Sequence, residues 1–170
     1  MKAASARDTP GRIVVESSIA TGELAKFPQT VMFLGGEEAM KRKIETKLDV
    51  HVLIMEGFPN AVMTFLIESI PELKNPEFLQ KTVGMSKRTS QRRHAADKLL
   101  TSEQSSKAWN FAEVMTQASA VFGSKEEGVR WLGEPALALE GRRPLDLLST
   151  SAGYDLVKDL LTRLEYGVYA

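Results

Sequence analysis

Apolar residues in this chain recur at helical spacing, between residues that start helices and glycines that stop them, while strand-like alternation is scarce. That periodicity restricts the chain to an all-α fold, with one short β pair expected near Ile13 to Val15. The last third, from Phe122 to Ala170, is the most densely punctuated. Ser124 and Glu127 have capping-box spacing and open a helix that carries Val129, Trp131 and Leu132 and stops at Gly133. Pro144 opens a short helix through Leu145, Leu147 and Leu148. The final helix runs from about Ala152 to Tyr166, with Val157, Leu160, Leu161 and Leu164 inward, an Asp159–Arg163 pair outside and Gly167 as its stop. This dense order holds no set of catalytic residues, which points to a surface built to hold a partner.

Upstream, "GEEAMKRKIETKL" from Gly36 places acids first and bases later, as a helix dipole favours, and predicts one helix. "VHVLIMEGFPNAVMTFLIES" predicts a short apolar helix, a stop at Gly57, and a second helix with Pro59 in its first turn. Val62, Phe65, Leu66 and Ile70 form the expected buried face of that second helix. Asn75 caps a helix with Pro76 at its first position, running to Val83 and broken by Gly84. Ser86 caps the next, "KRTSQRRHAADKL", so two short helices joined through a glycine turn form a helix-turn-helix candidate. Thr101 with Gln104 opens a long helix ending at Phe122 and Gly123, with Ala108, Phe111, Met115, Ala118 and Phe122 on one side. Residues 1 to 35 predict no firm element.

Composition limits the chemistry. A chain of 170 residues can bury roughly 70% of its unfolded surface. Its 43% hydrophobic and 26% charged content belongs to soluble globular proteins. No apolar run approaches the roughly 18 residues that span a bilayer. "MKAASARDTPGR" is followed by no apolar stretch of the kind a secretory leader needs, so a cytoplasmic address is expected. Without cysteine there is no disulfide, thiolate metal site or cysteine nucleophile. His51 lies in "DVHVLIM" and is expected in the core, whereas His94 sits among arginines and is expected at a solvated or phosphate-facing position. Neither has a zinc-ligand partner at i+4, so no metal or cofactor is expected.

Net charge is zero but uneven: Lys81, Lys87, Arg88, Arg92, Arg93 and Lys98 stand against the single acid Asp97, whereas from Leu99 onward acids outnumber bases ten to seven. Lys87, Arg88, Gln91 and Arg92 share a helical face suited to the major groove, with arginine matched to guanine and glutamine to adenine. Ser86, Thr89, Arg93 and Lys98 are placed to reach phosphates. The same arrangement describes a solvated cationic helix, and the segment alone serves both readings equally. The C-terminal tail likewise reads as a frayed end or, because Tyr166, Val168 and Tyr169 are large and apolar, as an interface anchor.

Taken together, the blocks "VFG", "VRWLGEPALALEGRRPLDLLSTSAGYDLV" and "LTRLEYGVYA", with "LIMEGFP", "VGMSKRTSQRR" and "LTSEQSSKAWNFAEV" before them, resemble the antitoxins of RES-Xre toxin–antitoxin pairs, the Xre/MbcA/ParS type. The resemblance covers roughly Leu48 to Ala170. Its ordered C-terminal signature is Trp131-Leu132, Gly141, Pro144, Leu148, Thr150, Gly153 and Arg163 to Gly167. It implies a non-enzymatic type II antitoxin that covers the active site of a NAD-consuming RES-domain toxin, using Arg163, Tyr166, Gly167, Val168, Tyr169 and Ala170. It further implies an autorepressor that reads operator DNA through Ser86, Lys87, Arg88, Thr89, Gln91, Arg92 and Arg93, with Trp131, Leu132, Leu147 and Leu148 in the core. A homodimer and a higher-order toxin–antitoxin complex, with no membrane partner, are the implied assemblies. The implied division is an extension over 1–35, an Xre-like helix-turn-helix region over 36–100 and a small helical toxin-binding domain over 101–170. Two residues depart from the family: Ser90, where it often has an aliphatic residue, and Trp109, where many members have arginine. A stand-alone helix-turn-helix regulator without a toxin is the alternative.

Overall fold

Start and stop signals set most of the helix boundaries in a computed structural model, which describes residues 26–95 and 98–167. The β pair expected near Ile13 to Val15 lies outside the described residues. Residues 26–33 form α1, within the stretch where no element was expected, and bury Thr30 and Val31, with Leu34 just beyond. The helix expected over "GEEAMKRKIETKL" is shorter than its charge gradient suggests, and the short apolar helix expected after it starts earlier. α2 (Gly36–Met40) ends at Lys41, which takes a left-handed φ of 55°. α3 (Lys47–Glu56) begins afresh because Thr46 and Asp49 form a reciprocal capping box, the Asp49 N–H donating to Thr46 Oγ1 at 3.2 Å and the Thr46 N–H to Asp49 Oδ2 at 2.8 Å.

Gly57 stops α3 with φ 96°, and the Leu100 carbonyl oxygen comes within 2.2 Å of where a Cβ would stand, so only glycine fits. α4 (Asn60–Ser69) begins one residue after Pro59, which is its cap and not part of its first turn. Phe65 is not on the buried face: it is 38% exposed, while Val62, Leu66 and Ile70 are at 0% and Met63 at 2%. At about 100° per residue, Val62, Met63, Leu66 and Ile70 fall within one arc of about 100°, and Phe65 lies about 60° beyond its edge. His51 is also exposed, because α3 turns Val50 and Leu53 inward instead.

A short 3-10 turn, Pro71–Lys74, leads to α5 (Pro76–Val83), where Asn75 Oδ1 accepts from the N–H groups of Glu77 at 2.8 Å and Phe78 at 3.3 Å. α6 (Lys87–Ala95) follows, then α7 (Ser102–Phe122), opened by the Thr101–Gln104 box. α8 (Lys125–Gly133) carries only half of its expected box: Ser124 Oγ accepts from Glu127 N–H at 3.1 Å, but the Glu127 carboxylate pairs with Arg130. A 3-10 turn, Leu137–Leu139, closed by an antiparallel bridge between Ala136 and Arg142, precedes α9 (Pro144–Leu147) and α10 (Ser151–Glu165). Asp159 and Arg163 of α10 form no ion pair with each other, in keeping with how little such an exposed pair contributes. The described residues contain no strand, so the all-α expectation holds.

The core is one buried cluster running from Val31 to Leu161, with α7 at its centre against α3, α5, α8 and α10. Phe78 meets Phe111 edge-on at 6.2 Å. Trp109 is 8% exposed and tilted on Phe27 at 5.9 Å, so the departure from the family's arginine is absorbed by packing against α1. Leu132 and Leu148 are buried as expected; Leu147 and Trp131 are only partly buried, the Trp131 ring lying on Phe122 at 5.2 Å.

Gly153 is the tightest contact between α9 and α10. A Cβ added there would lie 2.1 Å from the Leu147 carbonyl oxygen and 2.8 Å from its carbon, and backbone cannot swing aside as a side chain can. Gly153→Ala should therefore lower unfolding free energy by about 1–3 kcal/mol or more. Gly133→Ala, where nothing lies within 4 Å, should not. Denaturant unfolding of the two variants beside the parent checks this; equal midpoints for both would mean that the α9–α10 contact is loose.

Candidate functional site

Two surfaces carry the expected binding residues. The first is α6. Its nine residues, Lys87–Ala95, include no acid. Ser86 Oγ accepts from Thr89 N–H at 3.2 Å and lies 2.9 Å from Thr89 Oγ1, so these two expected phosphate contacts are tied to each other as the helix cap. Lys87, Arg88, Gln91 and Arg92 are exposed together, as their spacing predicts. The side chains of Arg93 and His94 lie outside the described residues. α6 is held from below by Met85, 1% exposed, and by α4. Ser90 faces α4, and with Gln91 it lines a cleft of ≈ 230 Å³ against Met63 and Ile67. An aliphatic side chain at this position would add apolar contact with Met63 and Ile67 that serine does not make.

The second surface is the outer side of α10 and the turn before α9. Glu165, itself exposed, accepts from Lys26 Nζ at 2.5 Å and from Gln117 Nε2 at 3.2 Å, which ties the last turn of α10 to α1 and α7. On the other side Arg163 and Tyr166 are exposed, Tyr166 by 55%, and Gly167 ends the helix with φ 66°. These three of the expected toxin contacts stand at i, i+3 and i+4 and share one face. The expectations for Val168, Tyr169 and Ala170 lie outside the described residues. Sequence reasoning passed over two apolar residues on this half of the chain. Leu156, on the outer side of α10, is 53% exposed; Leu137, on the 3-10 turn, is 96% exposed while its neighbour Leu139 takes the core position at 6%.

Between the surfaces lies an ion network that was also missed. Lys81 of α5 pairs with Asp146 of α9 and with Glu77 at 2.7 Å. Arg143 holds Asp146 through two hydrogen bonds of 2.9 Å and reaches Glu77 at 2.9 Å. Hydrogen bonds from Lys81 and Arg143 hold the Glu77 carboxyl below the usual carboxylate range. Asp146 is also held low, chiefly by Arg143, against the opposing effect of partial burial. Lys81 and Arg143 are raised, each chiefly by hydrogen bonding to Asp146. Among the described residues no group of three or more His, Asp and Glu side chains is placed to hold a metal ion, and no single helix is long and apolar enough to cross a membrane.

The second surface falls inside a segment shared with known proteins. The family described as the antitoxin Xre/MbcA/ParS C-terminal toxin-binding domain matches residues 117–167, from the second half of α7 to Gly167. A protein of Yersinia enterocolitica named Antitoxin Xre is 37% identical over 136 residues, covering 78% of this chain and 91% of that protein. A protein of Pseudomonas putida, also named Antitoxin Xre, is 26% identical over 125 residues, covering 74% of this chain and 76% of that protein.

The network sets a pH dependence whose sign can be worked out. The folded pKa values of Glu77 and Asp146 are depressed, so their contribution is present above the ordinary carboxylate range and lost as pH falls through their folded values. Lys81 is raised, so its contribution is complete at neutral pH and lost only in strong base. The melting temperature should be flat through neutrality and fall below about pH 4. In Asp146→Asn the fall should be shallower than in the parent, because one depressed carboxylate is gone. Parallel acid limbs in thermal melts of the two proteins would exclude a contribution from the network.

Proposed function

This chain belongs to the Xre/MbcA/ParS-type antitoxin family, and from that premise we propose that it neutralises a RES-domain, NAD-consuming toxin by covering its active site and represses its own operon by binding DNA. The observation that carries the first part is the end of α10: one side of its last turn is tied to α1 and α7, and the opposite side presents Arg163, Tyr166 and Gly167 to solvent. A side chain with a rigid ring, mounted on an anchored helix end, loses little freedom on entering a cleft, and such residues dominate binding energy. Arg163 adds five fixed donors beside it, suited to a carboxylate or phosphate group at the cleft mouth. The antitoxin acts as a plug and has no catalytic role of its own.

The repressor part rests on α6, whose Lys87, Arg88, Gln91 and Arg92 are exposed together while Ser86 and Thr89 cap the helix. In this reading residues 36–100 form the Xre-like region and 101–170 the toxin-binding domain, and both share α7 as a common wall. The chain works in the cytoplasm as a homodimer within a larger toxin–antitoxin complex.

Two experiments test the two parts separately. Arg88→Ala with Arg92→Ala should abolish the operator shift in a gel assay and flatten the salt dependence by about 0.9 of a log unit for each DNA phosphate that is no longer neutralised, with toxin neutralisation intact. Undiminished operator binding would remove α6 from the interface. Deleting Gly167 to Ala170, or changing Tyr166 and Tyr169 to Ala, should weaken toxin binding roughly thirtyfold or more, with melting temperature and DNA binding unchanged. Co-expression with the cognate toxin, scored by growth and cellular NAD, reads the outcome; full protection by the truncated chain would move neutralisation to the flank of the domain.

A further inference from the structure

The face of α10 that ends in Arg163 and Tyr166 begins further back on the helix. Leu156, Asp159, Arg163 and Tyr166 stand at i, i+3, i+7 and i+10, so at about 100° per residue they fall within one arc of about 80°. All four are exposed, Leu156 by 53% and Tyr166 by 55%. At about 1.5 Å per residue the row they form is about 15 Å long. The side of α10 that turns into the core is a different one, made by Gly153, Val157, Leu160 and Leu161.

Two further observations point to a partner along this row. Asp159 and Arg163 have the i, i+4 spacing at which a helix pairs opposite charges. They form no ion pair with each other or, among the described residues, with any other group, so both charges are open to a partner. The row also lies wholly within residues 117–167, the segment matched to a toxin-binding family, and that match selects a toxin as its occupant. An apolar residue, an acid, a base and an aromatic ring in that order read differently in the two directions, so a matching strip on a partner can lie on them in one register only. Opposite charges set in line give selectivity of this kind more than they give affinity. We propose that the toxin docks along this row, with Leu156 as an anchor about 15 Å from the blocking end, and that Leu156 and Asp159 set which toxin is held. The proposal rests on the toxin reading above for its partner, and it separates holding the toxin from blocking it.

The test uses the full chain and the purified cognate toxin, with binding rates and NAD consumption read separately. Leu156→Gln keeps a good helix former and removes the apolar contact, so it should raise the dissociation constant roughly tenfold or more. Leu156→Met should bind as the parent does, because the apolar volume is kept. Both variants should melt like the parent, since Leu156 is already half in water. Asp159→Lys should slow association at low salt, with the deficit shrinking as salt screens it. With Gly167 to Ala170 deleted, the chain should still bind, though more weakly, and should no longer stop NAD consumption; adding Leu156→Gln should take away the binding that is left. Binding by Leu156→Gln equal to that of the parent would overturn the row and leave the blocking end standing. So would a truncated chain to which Leu156→Gln makes no further difference. Full protection by the truncated chain, lost when Leu156→Gln is added, would overturn the blocking end and keep the row. An association rate of Asp159→Lys equal to the parent's at every salt concentration would remove Asp159 from the contact.

Discussion

α7 is buried on nearly all of its faces, and a helix in that position sets the terms for every helix packed against it. Ala108, Ala112 and Ala118 are fully buried, and their small side chains let neighbouring backbones approach; Phe111, Val114 and Met115 fill the space between. Three polar residues of α7, Ser105, Thr116 and Gln117, are buried too, and each supplies hydrogen bonds that burial demands. Ser105 Oγ accepts from Phe58 N–H at 2.8 Å and fixes the α3–α4 turn; Thr116 Oγ1 accepts from Thr30 of α1 at 3.3 Å. Gln117 Nε2 donates to Thr162 and Glu165 of α10 at 3.0 and 3.2 Å. Each of these bonds sets where one neighbouring segment meets the central helix, which apolar contact alone, being non-directional, does not do.

Because α7 begins beside the α3–α4 turn and ends inside the segment matched to the toxin-binding family, the two surfaces rest on one core. The ion network adds a second tie, joining α9 to α5, the helix immediately before α6. Its charges are partly solvated, so their value is less in stability than in register: Lys81 on Asp146 and Arg143 on Glu77 join the two helices, while the bidentate Arg143–Asp146 bond within the start of α9 orients both side chains for those contacts.

Local chemistry was legible in the sequence and tertiary choice was not. Asn75 with Pro76, Thr101 with Gln104, and Gly84 and Gly123 as stops act within a few residues and behave as their spacing predicts. The Thr46–Asp49 box is of the same kind; it was hidden by the acid-then-base gradient from Gly36, which a broken pair of helices satisfies as well as a single one. α1 was overlooked although Phe27, Val31 and Leu34 have helical spacing, because the scattered Gly, Ser and Thr of residues 1–35, with Pro28 inside the helix, hid it. Phe65 and Trp131 show the harder case. Both are large aromatics on helices with true buried faces, and only the angle of each helix on its neighbours decides that one stays partly in solvent and the other lies across Phe122 at the rim. The Lys81–Asp146 contact joins residues 65 apart and has no local signature at all. At the site the exposed grouping on α6 and at the end of α10 followed from helical periodicity, whereas Leu137 required the turn itself. The bridge between Ala136 and Arg142 turns Leu139 inward and leaves Leu137 outside.

Exposed apolar area is the cost from which an interaction protein can be recognised, and here it is divided. Leu137, Leu156 and Tyr166 lie within residues 117–167, the family-matched segment; Leu48, Val52 and Met55 lie on α3, outside it. Neither group gains anything in the isolated chain, since each leaves apolar surface in water that a polar residue would have covered at no loss of packing. Their chemical settings differ as well. The C-terminal group is joined by the exposed Arg163, whereas the α3 group ends at Glu56, which is paired with Arg42 at 3.1 Å. On the proposed reading the toxin is met by the end of α10 and the operator by α6, so a change that disables one surface can leave the other and the shared core intact.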